Sequence, residues 1–545
     1  MSIDGLLTVV GLLIAAYQIM PRTRQLELGF SLRLPDRIVI ATALVVILYL
    51  QFYSFFSAIG LSPHWGLHRR NLTPERVSFL LTLTILLAVW FRIQWAKLSS
   101  NQMHKFAVLV DELSWSESYR ELIKLLERNL KELIKISKEK TPLSRLRRFL
   151  NPPPMNWFPL MEHLNNQHPV VNVQWRPPLV QYLYDFMAGA LRKPAASLSQ
   201  FLPTYSSEVA EAQRLLHKIM TTRDIAFAIV KADPYLGIKL LDSELGEKDT
   251  FLDNYISAQL KYRSSVLYYE IANSDPGFDH RYEIPESHRL LHWLFSDARV
   301  AKRMEVYRPV GETIIAELEE LRRKPEMDTY NFVSDRAFDE TGRWESPILA
   351  GIVFFDIMVT SAFHQGITFH MWLYYFTYFA KGVIENCSPN DPAILNDEAS
   401  QTRYGHFLRQ IFFKLRDWAG FASLVPGIPN DRARNLDEND NIPKCGVSAL
   451  AQCFHYLLGS EKFEPRFKNE MASVVYGLYF DLRYSDRHNY ARMLVGLLRP
   501  NAFSYVADDA DYRDKLAATY RGFDQVPHRL RQREYLDEFE GQLLR

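Results

Sequence analysis

The sequence predicts a mainly α-helical protein, with two or three N-terminal transmembrane helices followed by a large, mostly α-helical module. Three observations predict it. Apolar runs at 5–20, 38–60 and 77–95 crowd the first hundred residues, separated by links that carry arginine. From about 104 onward, apolar residues recur at helical spacing, punctuated by proline, glycine and asparagine. Hydrophobic residues make up 48% of the 545 and mean hydropathy is −0.17. Those values fit a globular protein with a small membrane part, and a transporter built of many spans would score far higher.

The strongest run, Ile38–Gly60, holds no charged side chain. As a helix it is about 34 Å long, enough for a hydrocarbon core of roughly 30 Å. Gly5–Met20 is shorter, about 24 Å, and Val77–Trp95 is interrupted by Arg92, whose stem can snorkel to the headgroups. Gly5–Met20 is no secretory signal, because its basic residues Arg22 and Arg24 follow it instead of preceding it. Arg22, Arg24, Arg33 and Arg37 place the link 21–37 in the cytoplasm by the positive-inside rule. Everything after Lys97 is then cytoplasmic, whether or not the first run spans, and the expected location is the cell inner membrane. Residues 1–98 form the anchor.

Residues 99–150 read as a juxtamembrane helix, continuous from 104 to 139. Tyr119, Leu122, Leu126, Asn129, Leu133 and Ile136 occupy heptad a and d positions, a coiled-coil-like stripe able to pair with a second copy or with the protein's own next domain. The segment ends in a basic cluster with Arg145, Arg147 and Arg148, a candidate lipid-facing site. Asn151-Pro152-Pro153-Pro154 marks a boundary.

The module spans 155–545, in two lobes at 155–330 and 331–545. A short strand or irregular chain is expected near Val170–Val173. A helix opens at Ser206-Ser207-Glu208 and runs on to a break at Asp233-Pro234; Ala258–Ile271 is another amphipathic segment. Ser287 reads as the N-cap of a helix through Phe295, and Glu312–Lys324 as a charged helix stopped by Pro325. Ile348–Ala380 is the second most apolar stretch. Asp356, His364 and His370 within it are costly in lipid, so it reads as two core helices broken near His364–Gly366. Helices at Ser400–Phe421, Ser448–Leu458 and Pro465–Leu482 follow, with loops at 387–398 and 425–445 and a charged end at Val526–Arg545.

Net charge is +1, so nucleic-acid binding is not indicated. Three cysteines, none in C-x-x-C spacing, make no disulfide framework. No phosphate loop, nucleophile elbow or H-E-x-x-H motif is present, and no cofactor is indicated. His288 and His292 are four apart, with His280 in the preceding loop. An i,i+4 histidine pair with a third ligand is the ligand pattern of a zinc site, and these three are the candidate metal ligands. Arg281 and His288 have the R-x₆-H shape of HEPN-type ribonucleases, with Pro285 between them. Ser504–Asp511 approaches the Y-x-D-D dyad of reverse transcriptases, but Val506 takes the tyrosine position, and Asp508 is better explained as the N-cap of a helix through Lys515.

Tyr404–Trp418 (YGHFLRQIFFKLRDW) resembles a segment of phage abortive-infection membrane proteins, which also join N-terminal spans to a cytoplasmic helical part. The resemblance covers fifteen residues and no catalytic position. The expected function is a membrane-anchored sensor, scaffold or effector that acts by association. Its partners would be the lipid bilayer, a second copy of itself and a cytoplasmic partner of unspecified identity. The alternatives are a tethered enzyme directed at nucleotides or nucleic acid, and an oligomeric pore.

Overall fold

The computed structural model of the chain describes Gln18, Gln25 and residues 34–60, 73–95, 98–138, 207–331, 346–388, 402–424, 441–503 and 509–543. Short breaks fall at 244–245, 275, 278–279, 368–370, 501 and 525. The first apolar run, Arg145, Arg147, Arg148, Val170–Val173, Asp508 and most of the two Pro/Asn/Asp loops therefore lie outside the described residues. Of the described residues 81% are helical and none forms a strand. The chain divides into two compact units, Met1–Met220 and Thr221–Arg545.

In the first unit, α1 (Leu34–Gln51), α2 (Tyr53–Ala58) and α3 (Pro74–Trp95) make a helical hairpin in which α1 packs on α3. Backbone bonds from Phe52 N to Leu48 O and from Phe56 N to Phe52 O carry the helix across the irregular junction of α1 and α2. The hairpin turns apolar side chains outward. Among the described residues, fourteen of the twenty exposed large hydrophobic side chains lie between Ile38 and Phe91. The longer helix of the pair, Pro74–Trp95, has 22 residues.

The segment expected as one juxtamembrane helix is two helices, α4 (Met103–Trp115) and α5 (Tyr119–Ser137). The Ser-Glu-Ser junction breaks it. Glu117 takes a left-handed backbone (φ +54), and the Ser116 hydroxyl donates back to Leu113 O at 3.3 Å. The heptad stripe of α5 is buried within its own unit, and Asn129 donates to Leu125 O of its own helix at 2.9 Å. Helix α6 (Ser207–Thr221) is fastened to both. Gln213 donates to Ser137 O on α5 at 3.1 Å, while Arg214 and Lys218 hold Asp111 of α4 at 2.9 and 2.8 Å. Burial pushes the Asp111 carboxyl up, but the bonds and charges of Lys218 and Arg214 together outweigh it and hold it below its usual range.

The second unit continues with α7 (Arg223–Ala232), α8 (Pro234–Asp242), α9 (Lys248–Lys261), α10 (Val266–Ala272), α11 (Arg289–Phe295), α12 (Ala298–Arg303) and α13 (Tyr307–Arg323). Its later helices are α14 (Pro347–His364), α15 (Tyr374–Asn386), α16 (Arg403–Leu424), α17 (Ile442–Gly459), α18 (Pro465–Tyr484), α19 (His488–Leu498), α20 (Asp509–Arg521) and α21 (Val526–Leu543). Several starts follow directly from sequence. Asp233 caps α8 ahead of Pro234, Ser346 caps α14 ahead of Pro347, and Asn441 caps α17 by accepting from Lys444 N.

Other boundaries differ from the expected ones. The segment expected to run unbroken to Asp233 is split at Thr222, and Ala258–Ile271 is split between Lys261 and Val266. Helix α11 starts at Arg289, with His288 at its cap position in place of Ser287. The cap comes from elsewhere: Glu270 of α10 accepts from Leu290 N at 3.2 Å and Leu291 N at 2.8 Å.

Helix α14 is the hub of this unit. It is apolar all round, as a fully surrounded helix must be, and sixteen of its eighteen residues are buried. Helices α9, α10, α11, α12, α13 and α16 all pack on it. Among the described residues it alone is long and apolar enough to cross a membrane, yet 89% of it is buried inside the protein. It ends at Gln365-Gly366, where Gly366 has φ +74. The Gln365 side chain there donates to Phe295 O and accepts from Ala298 N, both at 2.8 Å, so one amide closes α11 and opens α12.

Candidate functional site

Tyr404–Trp418 lies on α16, and its alternation of aromatic and basic residues separates into two faces. Tyr404, Phe407, Leu408, Ile411, Phe412, Leu415 and Trp418 are fully buried. The opposite face pairs with α18, Arg409 to Glu470 at 2.6 Å and Arg416 to Asp481 at 2.8 Å.

Between those faces α16 reaches Asp356, a carboxylate near the middle of α14 that is 4% exposed. A buried charge survives only when it is paired and hydrogen-bonded, and Asp356 is both. Trp418 donates its indole N–H to Oδ1 at 3.0 Å, and Tyr282 donates its hydroxyl to Oδ2 at 2.5 Å. Lys414 stands 2.6 Å from Oδ2. Lys414 and Trp418 are one helical turn apart, which is why one helix delivers both.

Tyr282 belongs to a tight turn closed by a lone bridge between Pro276 and Tyr282. Within it Gly277 N donates to Arg281 O at 2.9 Å, and His280 N to Gly277 O at 3.0 Å. His280 is left-handed at φ +57, a conformation that costs of order 1 kcal/mol and is retained only where the surroundings fix it. The Tyr282–Asp356 bond is such a fixing contact.

Above this network a cleft of 420 Å³ opens between the turn, α16, α18 and α21, within the 300–1,000 Å³ range of small-molecule pockets. His280, Arg416, Asp417, Ser423, Asp481 and Arg531 supply its polar lining. Burial pushes the Asp417 carboxyl above its ordinary range. Asp356 adds to the rise, and Lys414, His280 and Arg416 oppose it. Ser423 Oγ is buried without a hydrogen-bond partner among the described residues. Arg531 lies over the Tyr484 ring with its guanidinium carbon 3.9 Å from the centroid. A Cβ built on Gly420 would meet nothing within 4 Å, so the C-terminal part of α16 leaves the cleft floor open.

The histidines singled out from sequence are dispersed. His280 lines the cleft. His288 is buried, with Nδ1 3.3 Å from the Ser274 hydroxyl and its ring edge-on to Tyr269. His292 lies on α11, where its backbone N–H bonds to His288 O. Among the described residues no group of three His, Cys, Asp or Glu side chains gathers as a metal site requires. Arg281 is exposed where His288 is buried, so the R-x₆-H pair does not share a surface. Cys387, Cys445 and Cys453 are buried.

The sequence points to Asp356 only as an anomaly in an apolar run. It gives no sign that Tyr282, Lys414 and Trp418 converge on it. Comparison with known proteins adds no assignment: no family model matches the chain, and no curated protein or solved structure matches it significantly.

Proposed function

We propose that the chain is a multi-pass membrane-anchored helical sensor, scaffold or effector of the cell inner membrane that acts by association. The observation that carries this reading is the outward-facing apolar surface of the α1–α3 hairpin, from Ile38 to Phe91. Soluble monomers rarely expose contiguous apolar patches beyond a few hundred Å², and helices that meet their own backbone hydrogen bonds are one of only two structures that lipid tolerates. The first apolar run, Gly5–Met20, is about 24 Å as a helix and short for a bilayer, and short spans reduce their mismatch by oligomerising. A second copy is therefore the favoured neighbour of the hairpin, and Ala41 and Ala43 permit close helix approach. The arginine-rich link at 21–37 puts the helical module on the cytoplasmic side.

The test is extraction of membranes that contain the full chain. Alkaline carbonate is expected to leave the protein in the pellet and detergent to release it. Release by carbonate or by high salt alone would overturn the anchor.

A further inference from the structure

The cleft beside the Asp356 network has the chemistry of a ligand site, and its lining selects among ligands. Three cationic or cation-capable groups face it: Arg416, Arg531 and His280. Arg416 uses one N–H group on Asp481, and a guanidinium has five such donors in a fixed fork. Arg531 rests on the Tyr484 ring and has no carboxylate partner among the described residues. The Ser423 hydroxyl adds a buried donor without a partner among the described residues. These donors outnumber what one carboxylate accepts and suit the oxygens of a phosphate. Asp417 and Asp481 line the same space and accept hydrogen bonds, so a bare anion would meet repulsion there. A ligand that carries hydroxyl or amino groups beside its phosphate would use both signs of charge. The volume of 420 Å³ admits a molecule much larger than phosphate itself.

We propose that this cleft binds a small phosphorylated, hydroxyl-bearing metabolite of nucleotide size, with Arg416, Arg531 and Ser423 on the phosphate and Asp417 and Asp481 on the hydroxyl groups. The left-handed turn at His280 then works as a pre-set wall of the site, fixed through Tyr282 to Asp356. The inference goes beyond the anchor reading and does not depend on it, because the cleft lies wholly within Thr221–Arg545.

The experiment is isothermal titration of the full chain in detergent with AMP, ribose 5-phosphate, inorganic phosphate and adenosine. AMP or ribose 5-phosphate should bind, inorganic phosphate more weakly, and adenosine at least about tenfold more weakly than AMP. Arg531→Ala removes a guanidinium that has no ion-pair partner among the described residues, and should weaken binding by about tenfold to a hundredfold, with only the small fall in melting temperature that losing its stacking on Tyr484 brings. Gly420→Leu fills the floor and should abolish binding. If Gly420→Leu fails to fold, Arg531→Ala alone decides. Absence of binding by either phosphorylated organic probe would overturn the proposal, and so would unchanged affinity in Arg531→Ala or equal affinity for AMP and adenosine. Binding is read in detergent whether or not the chain resists carbonate, so the two proposals fail separately.

Discussion

Trp418 of α16 donates its indole N–H to Asp356 of α14 across 3.0 Å, and through that bond the helix with the plainest two-faced pattern is tied to the most apolar one. Tyr282 and Lys414 converge on the same carboxylate. Removing the acceptor leaves two donors and an ammonium facing a void. Asp356→Ala is therefore expected to destabilise the protein by about 3–5 kcal/mol, read as a fall in the chemical denaturation midpoint of the detergent-solubilised chain. A loss below about 1 kcal/mol would mean that the network is solvated and holds nothing together.

Asp417 gives a pH signature of opposite sense to that of an ordinary salt-bridged acid. Its carboxyl is raised by burial against the attraction of Lys414, His280 and Arg416. The folded state then holds a proton that the unfolded state has released, so stability is fully present in acid and is lost as pH rises through the folded value. Asp417→Asn cannot ionise. The variant should gain on the wild type as melting temperatures are followed from pH 4 to pH 7, and a constant difference would refute the assignment.

His455 of α17 works the other way. Its ring stacks on Tyr512 at 4.3 Å, and Nε2 lies 2.8 Å from Leu497 O. Burial lowers its affinity for a second proton, only partly offset by the Leu497 carbonyl. The unfolded chain takes up that proton below about pH 6.5, so stability present above that value is lost as pH falls. His455→Phe keeps the stacking and loses the hydrogen bond, at about 1 kcal/mol near neutrality. It should also flatten the decline between pH 6.5 and 5 in thermal melts.

Gly237 of α8 is held bare by packing. A Cβ there would lie 2.3 Å from the Tyr255 ring. That ring is fully buried, and its hydroxyl is bonded to Pro234 O. Gly237→Ala raises helix propensity, yet it should destabilise by about 1–3 kcal/mol through overpacking. Denaturant titration distinguishes this from the gain that an exposed glycine would show.

The anchor reading predicts topology and mass. A reporter fused after Lys140 should report the cytoplasm and one near His68 the outside, and both on one side would sink the model. In detergent the full chain should exceed the monomer mass, while a chain starting at Met155 should match it. Because the α5 stripe is already buried in its own unit, the association is assigned to the apolar hairpin. Self-association by the shorter chain would move the interface elsewhere.

Much of the helical framework is legible in the sequence because its punctuation is local. Ser346-Pro347, Asp233-Pro234 and Glu464-Pro465 start helices, and Gln365-Gly366 stops one, each by backbone chemistry confined to a few residues. The breaks that escape it depend on partners far along the chain. Nothing near His288 announces that Glu270 will cap α11 from twenty residues upstream. The candidate site is of this second kind throughout. Asp356 meets Tyr282 across 74 positions and Trp418 across 62, separations at which no spacing rule operates. Of the cleft residues the sequence marks His280 as a metal ligand, and Arg416 and Asp417 only as part of the Tyr404–Trp418 segment.

The burial of α14 has a consequence for how the protein is made. If the first hundred residues deliver the chain to a bilayer, as proposed above, the chain later presents Pro347–His364, as apolar and as long as a minimal span, to the same insertion machinery. Asp356 sits near its centre, where an aspartate opposes entry into lipid by about 2.5–3.5 kcal/mol. On that reading the carboxylate that later gathers Trp418, Tyr282 and Lys414 would act first as a sorting mark, turning the nascent segment away from the membrane before any of those three partners has been folded against it.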